Sequence, residues 1–165
     1  MGGARKVTLT IAGKGQVVIE VYPKAAPKTV AQFIRLANEK FYDNIKFHRV
    51  EKGFVVQAGD PDTLTTSSAE LAGMSQQQMV ALGIGAGGSG KNIPFEANKL
   101  AHIRGTVAMA LSSPRSDTGD SQFFINLSDN VGLNEDYCVF GRVVQGMEIV
   151  DKIAVGDAIE SMRAD

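Results

Sequence analysis

Cysteine is nearly absent from this 165-residue chain: Cys138 stands alone. That excludes an internal disulfide and a multi-cysteine zinc site. Histidine is scarce as well, with only His48 and His102, so no His-rich metal cage is expected. No apolar run approaches the roughly 20 residues that a membrane span needs. An excess of either charge is also lacking. Lys plus Arg number 17 and Asp plus Glu 18, a net charge of −1, so nothing marks a polyanion-binding surface. Met1 to Lys6 is short and charged, and the next apolar stretch, Val7 to Ala12, is broken by Gly13-Lys14-Gly15. This start does not read as a secretory signal, so cytoplasmic residence is expected. The alternative is a periplasmic or secreted chain whose signal has been removed.

What is present suits a single globular domain over residues 1–165, with 44% hydrophobic and 21% charged residues. Eighteen glycines point to many tight turns and so to a β-rich architecture. Lys6 to Ile11 alternates at period two, Gly13-Lys14-Gly15 signals a turn, and Gln16 to Tyr22 is a β-branched run; together they predict a hairpin. Pro27 suits a helix start. Val30, Phe33, Ile34, Ala37 and Phe41 then predict an amphipathic helix over 27–40. Strands are predicted at 45–50, 54–58, 105–111, 121–127, 139–144 and 158–163, with a short one at 92–96 and a second helix at 147–153. Residues 61–91 read as a long surface loop, its Gly-rich half too polar to be rigid, with one short helix at 76–82. Many short strands and two helices without βαβ alternation argue for a closed antiparallel barrel with helices over its ends.

The glycine cluster invites two readings. Gly83, Gly85 and Gly88 fit the dinucleotide fingerprint, and Gly85, Gly90 and Lys91 nearly fit a P-loop. Both motifs need a helix opening at the glycines, and Pro94 follows instead, so a loop is the reading adopted. Cys138 lies in an apolar run and reads as a buried hydrophobe. Asp60, Asp117, Asp120, Asp129 and Asp136 sit among turn residues and lack calcium-loop spacing. His48 reads as structural, and no nucleophile elbow accompanies either histidine.

One constellation is unusual. Arg49, Val55 and Gln57 share one face of adjacent predicted strands, and Gln122 and Phe124 share a face of another. A strand face that mixes Arg, Gln and apolar side chains is odd for a core, because an unpaired buried charge is costly. It is either an exposed sheet face or a groove for an apolar ligand with one cationic donor.

Phe47-His48-Arg49, Gly53-Phe54, Gln57-Ala58-Gly59-Asp60, Gly105 to Ala110, Ser121 to Ile125 and Val139-Phe140-Gly141 resemble the cyclophilin family of peptidyl-prolyl isomerases, and most closely its bacterial members. The resemblance runs over nearly the whole chain in the family's order. It implies a closed eight-stranded antiparallel β-barrel capped by two α-helices, with the active groove on the outer face. It assigns catalytic roles to Arg49, Phe54, Gln57 and Phe124. Substrate contacts fall to Val55, Ala110, Leu111, Gln122, Leu133 and Tyr137. No metal or cofactor is implied, and the expected partners are proline-containing peptides and folding proteins, met by a monomer. Leu111 stands where many relatives carry Asn, and Tyr137 where many carry His. Gly132 replaces a tryptophan that binds cyclosporin, so weak cyclosporin binding at most is expected. The alternative function is a proline-segment binding module or chaperone with incidental catalysis.

Overall fold

The computed structural model describes residues 3–165; Met1 and Gly2, which belong to the signal-peptide reading, lie outside them. Eight strands are found among these residues: β1 (Arg5–Ile11), β2 (Gly15–Val21), β3 (Arg49–Glu51), β4 (Val55–Ala58), β5 (Thr106–Met109), β6 (Phe123–Asn126), β7 (Val139–Gln145) and β8 (Ile159–Ala164). All pair antiparallel in one sheet of order β3-β4-β6-β5-β7-β2-β1-β8. The predicted hairpin is β1–β2, with Leu9 opposite Val17 and Val7 opposite Ile19.

The expected closed barrel is corrected to a curled sheet whose ladder stays open between its edge strands β3 and β8. The residues ahead of β3 do not continue as the predicted strand over 45–50. They make one isolated bridge, Lys46 to Ala158. Backbone bonds then link the two edges: Asn44 N–H to Ile159 O at 2.7 Å, Ile159 N–H to Ile45 O at 2.8 Å, and Phe47 N–H to Asp157 O at 2.9 Å. The curl is held by an irregular segment rather than by strand pairing, which satisfies edge polar groups without a full ladder.

Helix α1 (Pro27–Asn38) packs one face against the core enclosed by the curled sheet and leaves the other exposed. Phe33 is fully buried, with its ring 4.9 Å from Phe140, 5.4 Å from Phe123 and 5.7 Å from Tyr42, centre to centre. Val30, Leu36 and Ala37 fill the same stripe, while Ile34 and Phe41, expected there, are only half-buried. Ala26 offers no capping side chain at the helix N-terminus. Glu96 supplies the acceptor from far along the chain: its carboxylate takes the N–H groups of Lys28 (3.0 Å) and Thr29 (2.7 Å). A carboxylate there satisfies two orphan donors and complements the helix dipole. Glu96 belongs to the predicted strand over 92–96, which is reduced to one bridge between Ile93 and Gly119.

Residues 61–91 depart most from expectation. They hold a 3-10 turn (Pro61–Thr65) and two short helices, α2 (Ser68–Ala72) and α3 (Gln76–Ala81), each helix opened by a serine capping box, at Ser67 and Ser75. Leu71, Met79 and Ile84 form a small buried core of their own. The Gly-rich half is docked by its backbone: Gly85 N–H donates to Asp60, and Gly90 and Lys91 N–H donate to Asp120 at 2.9 and 3.1 Å. Asp60 and Asp120 are thus anchors for this segment. The Gly-rich half is a loop, as read from its sequence; the backbone bonds that dock it are what a count of apolar surface does not anticipate. The expected second capping helix is α4 (Met147–Val150), a single turn.

Both histidines are buried, and burial holds each below the ordinary value of 6.5. The unfolded chain therefore takes up protons first as pH falls, so stability is lost below about pH 6.5. The urea midpoint should fall between pH 7 and pH 5, above the range where carboxylates titrate, and His48→Gln/His102→Gln should flatten that slope. A midpoint constant across the window would contradict it. Replacing Glu96 by Ala should cost about 1–2 kcal/mol in denaturant unfolding through loss of the cap; an unchanged midpoint would remove Glu96 from that role.

Candidate functional site

Register builds the site. Arg49 pairs with Gln57, Gln57 with Phe124, Phe124 with Ala108, and Ala108 with Val139, so one row of side chains crosses β3, β4, β6, β5 and β7. Alternation puts this row on the outer face of the curl. Val55, Ala108, Phe124 and Val139 are buried there as a cluster separate from the main core, with Phe54, Ala110, Leu133 and Tyr137 packed against it. A sheet face that would otherwise meet water carries an apolar floor.

Above that floor lies a cleft of about 210 Å³ lined by Arg49, Phe54, Val55, Gln57, Ala110, Leu111, Phe124, Leu133 and Tyr137. Nine of the ten residues assigned from the sequence meet in this one place. Arg49 supplies the only charge in the lining. Its guanidinium carbon sits 5.9 Å from the Phe54 ring centre, it pairs with Glu51, and 40% of the side chain is exposed. An exposed pair of this kind contributes little stability and yields readily to an incoming ligand. Arginine remains protonated at any working pH.

Gln122, the tenth residue, sits behind the cleft. Its Nε2 donates to the carbonyls of Gly85 and Gly87, both at 2.9 Å. Its Oε1 must then face Gln57, whose Nε2 donates to it at 3.0 Å. This relay fixes the amide of Gln57 and ties it to the glycine segment. Gln122 also borders a neighbouring groove of about 340 Å³ with Gly87, Ala110, Leu111 and Asp120. Ala110 N–H is occupied by Gln122 O at 3.0 Å, whereas Ala110 C=O and Leu111 N–H have no backbone partner among the described residues. The Leu111 side chain packs toward the main core. The Leu111 N–H is thus a donor without a backbone partner at the edge of the cleft among the described residues.

The support behind Phe124 is a feature that sequence reasoning missed. Phe124 is 5% exposed, stacks on His102 with centres 5.9 Å apart, and meets Tyr137 edge-on at 5.9 Å. His102 is held at both ring nitrogens: Asn126 Nδ2 donates to Nδ1 at 3.1 Å, and Nε2 donates to Tyr137 O at 3.1 Å. Asn126 also donates to Thr106 Oγ1 (2.9 Å) and accepts from Asn130 (2.8 Å). This network requires neutral His102, and burial enforces it. The available signal was Asn126 at two residues from Phe124, a polar side chain on the same outer face. His48 has a different place. It immediately precedes the strand that carries Arg49, is 4% exposed, and has Nδ1 unpaired among the described residues. The Cys138 thiol is pushed up to about 11, chiefly by burial, as its reading as an inert hydrophobe requires.

No group of three or more His, Cys, Asp or Glu side chains is placed to hold a metal among the described residues, and no helix there is long and apolar enough to cross a membrane. The glycine cluster opens no helix, as expected.

Comparison with known proteins bears on this geometry. The family model for cyclophilin type peptidyl-prolyl cis-trans isomerases matches residues 6–164. The chain is 37% identical over 150 residues to peptidyl-prolyl cis-trans isomerase B of Bacillus subtilis, covering 91% of each chain. It is 37% identical over 153 residues to a peptidyl-prolyl cis-trans isomerase of Helicobacter pylori, covering 90% of this chain and 80% of that one. A crystal structure of a cyclophilin type isomerase from Cryptosporidium parvum superposes with a TM-score of 0.78 at 26% identity over 98% of both chains. A second structure of that protein, determined in the presence of the dipeptide Ala-Pro, gives a TM-score of 0.77. With the family model matching residues 6–164 and a cleft bordered by Arg49 and floored by Phe124 set on the outer face of the curled sheet, this chain belongs to the cyclophilin family.

Proposed function

We propose that this protein catalyses cis–trans isomerisation of X–Pro peptide bonds in peptides and folding chains, with the proline ring seated on Phe124 and Arg49 acting on its nitrogen. The observation that carries this reading is one guanidinium, with the Gln57 amide beside it, bordering a cleft of about 210 Å³ whose floor is Phe124 with Phe54, Val55 and Leu133 around it. An X–Pro bond turns over tens to hundreds of seconds behind a barrier of roughly 20 kcal/mol, because amide resonance must be lost in the twisted state. No bond is cut, so the reaction calls for no nucleophile, metal or cofactor.

A catalyst must favour the twisted amide over both planar forms. As resonance is lost, the proline nitrogen regains a lone pair, and an Arg49 N–H donates to it. Phe54, Val55, Phe124 and Leu133 hold the ring and exclude water, which would compete for that donor. Gln57, its amide oriented by Gln122, holds the peptide main chain while the other half turns, and the free edge at Ala110 and Leu111 extends the grip. Tyr137 closes the pocket beside Phe124. An acceleration of about 10⁵-fold asks for roughly 7 kcal/mol, within reach of one charge-assisted donor plus orientation in a dry cleft. The cytoplasm is taken as the place of action and a single chain as the working unit.

Arg49→Ala should lower turnover of an Ala-Pro peptide about 100-fold or more, the loss of roughly 3 kcal/mol from a transition-state donor, with peptide affinity little changed. Exchange-rate measurement on a short peptide, paired with a binding titration, checks both, and Phe124→Ala should damage binding and turnover together. Equal losses from Arg49→Ala would argue for a binding module instead.

Gly132 opens another test. Gly132 is exposed next to Leu133 of the cleft lining, and a Cβ added there meets nothing within 4 Å, so the backbone does not bar a side chain at this position. An indole adds an apolar face and an N–H donor, so Gly132→Trp should tighten cyclosporin inhibition about tenfold or more while sparing peptide turnover. Tight inhibition of the unmodified protein would show that the position has been misjudged.

A further inference from the structure

A third depression, of about 390 Å³, adjoins the proline cleft on the side away from Leu133 and Tyr137. Arg49 and Gln57 line both. Its far wall is helix α3 and the residues after it, with Gln76, Val80 and Ile84 in the lining. Gln76 and Val80 are one turn apart and so share a helix face. Gln76 Nε2 donates to the backbone carbonyl of His48 at 3.2 Å, which brings that face against the strand bearing Arg49.

The wall is built to stay in place. Met79 and Ile84 are buried with Leu71 in the small core of this segment, and Ser75 and Gln78 close the capping box that starts α3. The Gly85 N–H is held by Asp60. Val80, by contrast, is 73% exposed. A β-branched apolar side chain gains nothing from packing when it is left in water, and valine is a poor helix former at an exposed position. Leu82, at the end of the same helix, is also 63% exposed, but of the two only Val80 lines the depression.

We infer that this depression is a second side-chain subsite, which takes an apolar residue of the substrate itself within a few positions of the proline. The inference rests on the isomerase reading above. The occupant follows from continuity: a peptide whose proline lies on Phe124 and whose backbone passes Gln57 meets this depression without leaving the protein surface. An extended chain advances about 3.3 Å per residue, so a residue near the proline reaches it. Val80 and Ile84 would contact the apolar side chain. Arg49 would stay free for the proline nitrogen. The segment 61–91 thereby acts on client choice through Val80, and the chemistry remains with Arg49.

The test uses octapeptides with a central Ala-Pro and alanine elsewhere, in which leucine replaces one flanking alanine at a time. Isomerisation efficiency is read by exchange NMR at catalytic protein concentration. In the unmodified protein, leucine at one flanking position should raise kcat/KM about five- to tenfold, mainly through KM. Val80→Asp and Val80→Lys, at an exposed position that folding does not depend on, should reduce that gain to less than about twofold and leave the all-alanine peptide within about twofold. Equal efficiency for every leucine position, or a leucine gain that survives in both variants, would overturn the subsite. Absence of turnover even on the all-alanine peptide would instead overturn the isomerase reading on which it rests.

Discussion

Phe123 and Phe124 are neighbours in sequence and belong to different worlds in the fold. Strand alternation sends Phe123 inward against Phe33 of α1 and Phe124 outward to the cleft. The rest of the molecule depends on that split. The inner ring anchors the core around which the sheet curls, and the outer ring is the floor of the site. A slip of one residue in β6 would exchange them, placing a pocket ring in the core and a core ring in water. Register is therefore strongly specified here, and the same pairing that fixes β6 delivers Arg49 and Gln57 to the row beside Phe124.

An apolar floor on the outer face of a sheet needs stiffness from somewhere other than a core. The protein supplies it with polar groups that are fully paired. His102, Asn126, Thr106 and Asn130 form a closed hydrogen-bond network behind Phe124. On the other flank, Gln122 links Gln57 to the glycine segment. Such networks are costly when partly satisfied and rigid when complete. Rigidity matters for a reaction whose catalysis is differential binding: a donor that drifted with the substrate would stabilise planar and twisted amides alike.

The segment 61–91 shows how polar sequence can be ordered. Only three apolar side chains, Leu71, Met79 and Ile84, are buried in it. Most of its anchoring comes from Asp60 and Asp120 accepting backbone N–H bonds, with glycine permitting the approach: a Cβ at Gly87 would collide with the Asp60 and Asp62 side chains, and one at Gly88 with Asp120. Gly85 takes a positive φ of 102° at the Asp60 bond. These glycines, which imitate phosphate-binding motifs in sequence, use the same exposed N–H groups on the protein's own carboxylates.

The sequence alone determined what local chemistry can determine. A period-two run and a β-branched run set the hairpin from Lys6 to Tyr22, and the Pro27 helix carries its own 3.6-residue stripe. The even spacing of Arg49, Val55 and Gln57 already put them on one face. The residue motifs pointed to the family, and with it to nine side chains that the fold assembles in one cleft. The tertiary structure decided whatever depends on partners distant in the chain. Glu96 caps a helix 67 residues away, because a carboxylate's partner is set by proximity in space. The ladder stays open at β3 and β8, because residues 44–47 bond to 156–159 one group at a time instead of as a strand. His102 lies in a polar stretch with no periodicity to mark it, and only the packing of β6 against that stretch stacks it under Phe124. Val80 falls in the short helix predicted over 76–82 with nothing in the sequence to single it out; its place beside Arg49 exists only once α3 is bonded to His48. Spacing along a chain reports which face a side chain takes, and long-range hydrogen bonding and packing decide what that face meets.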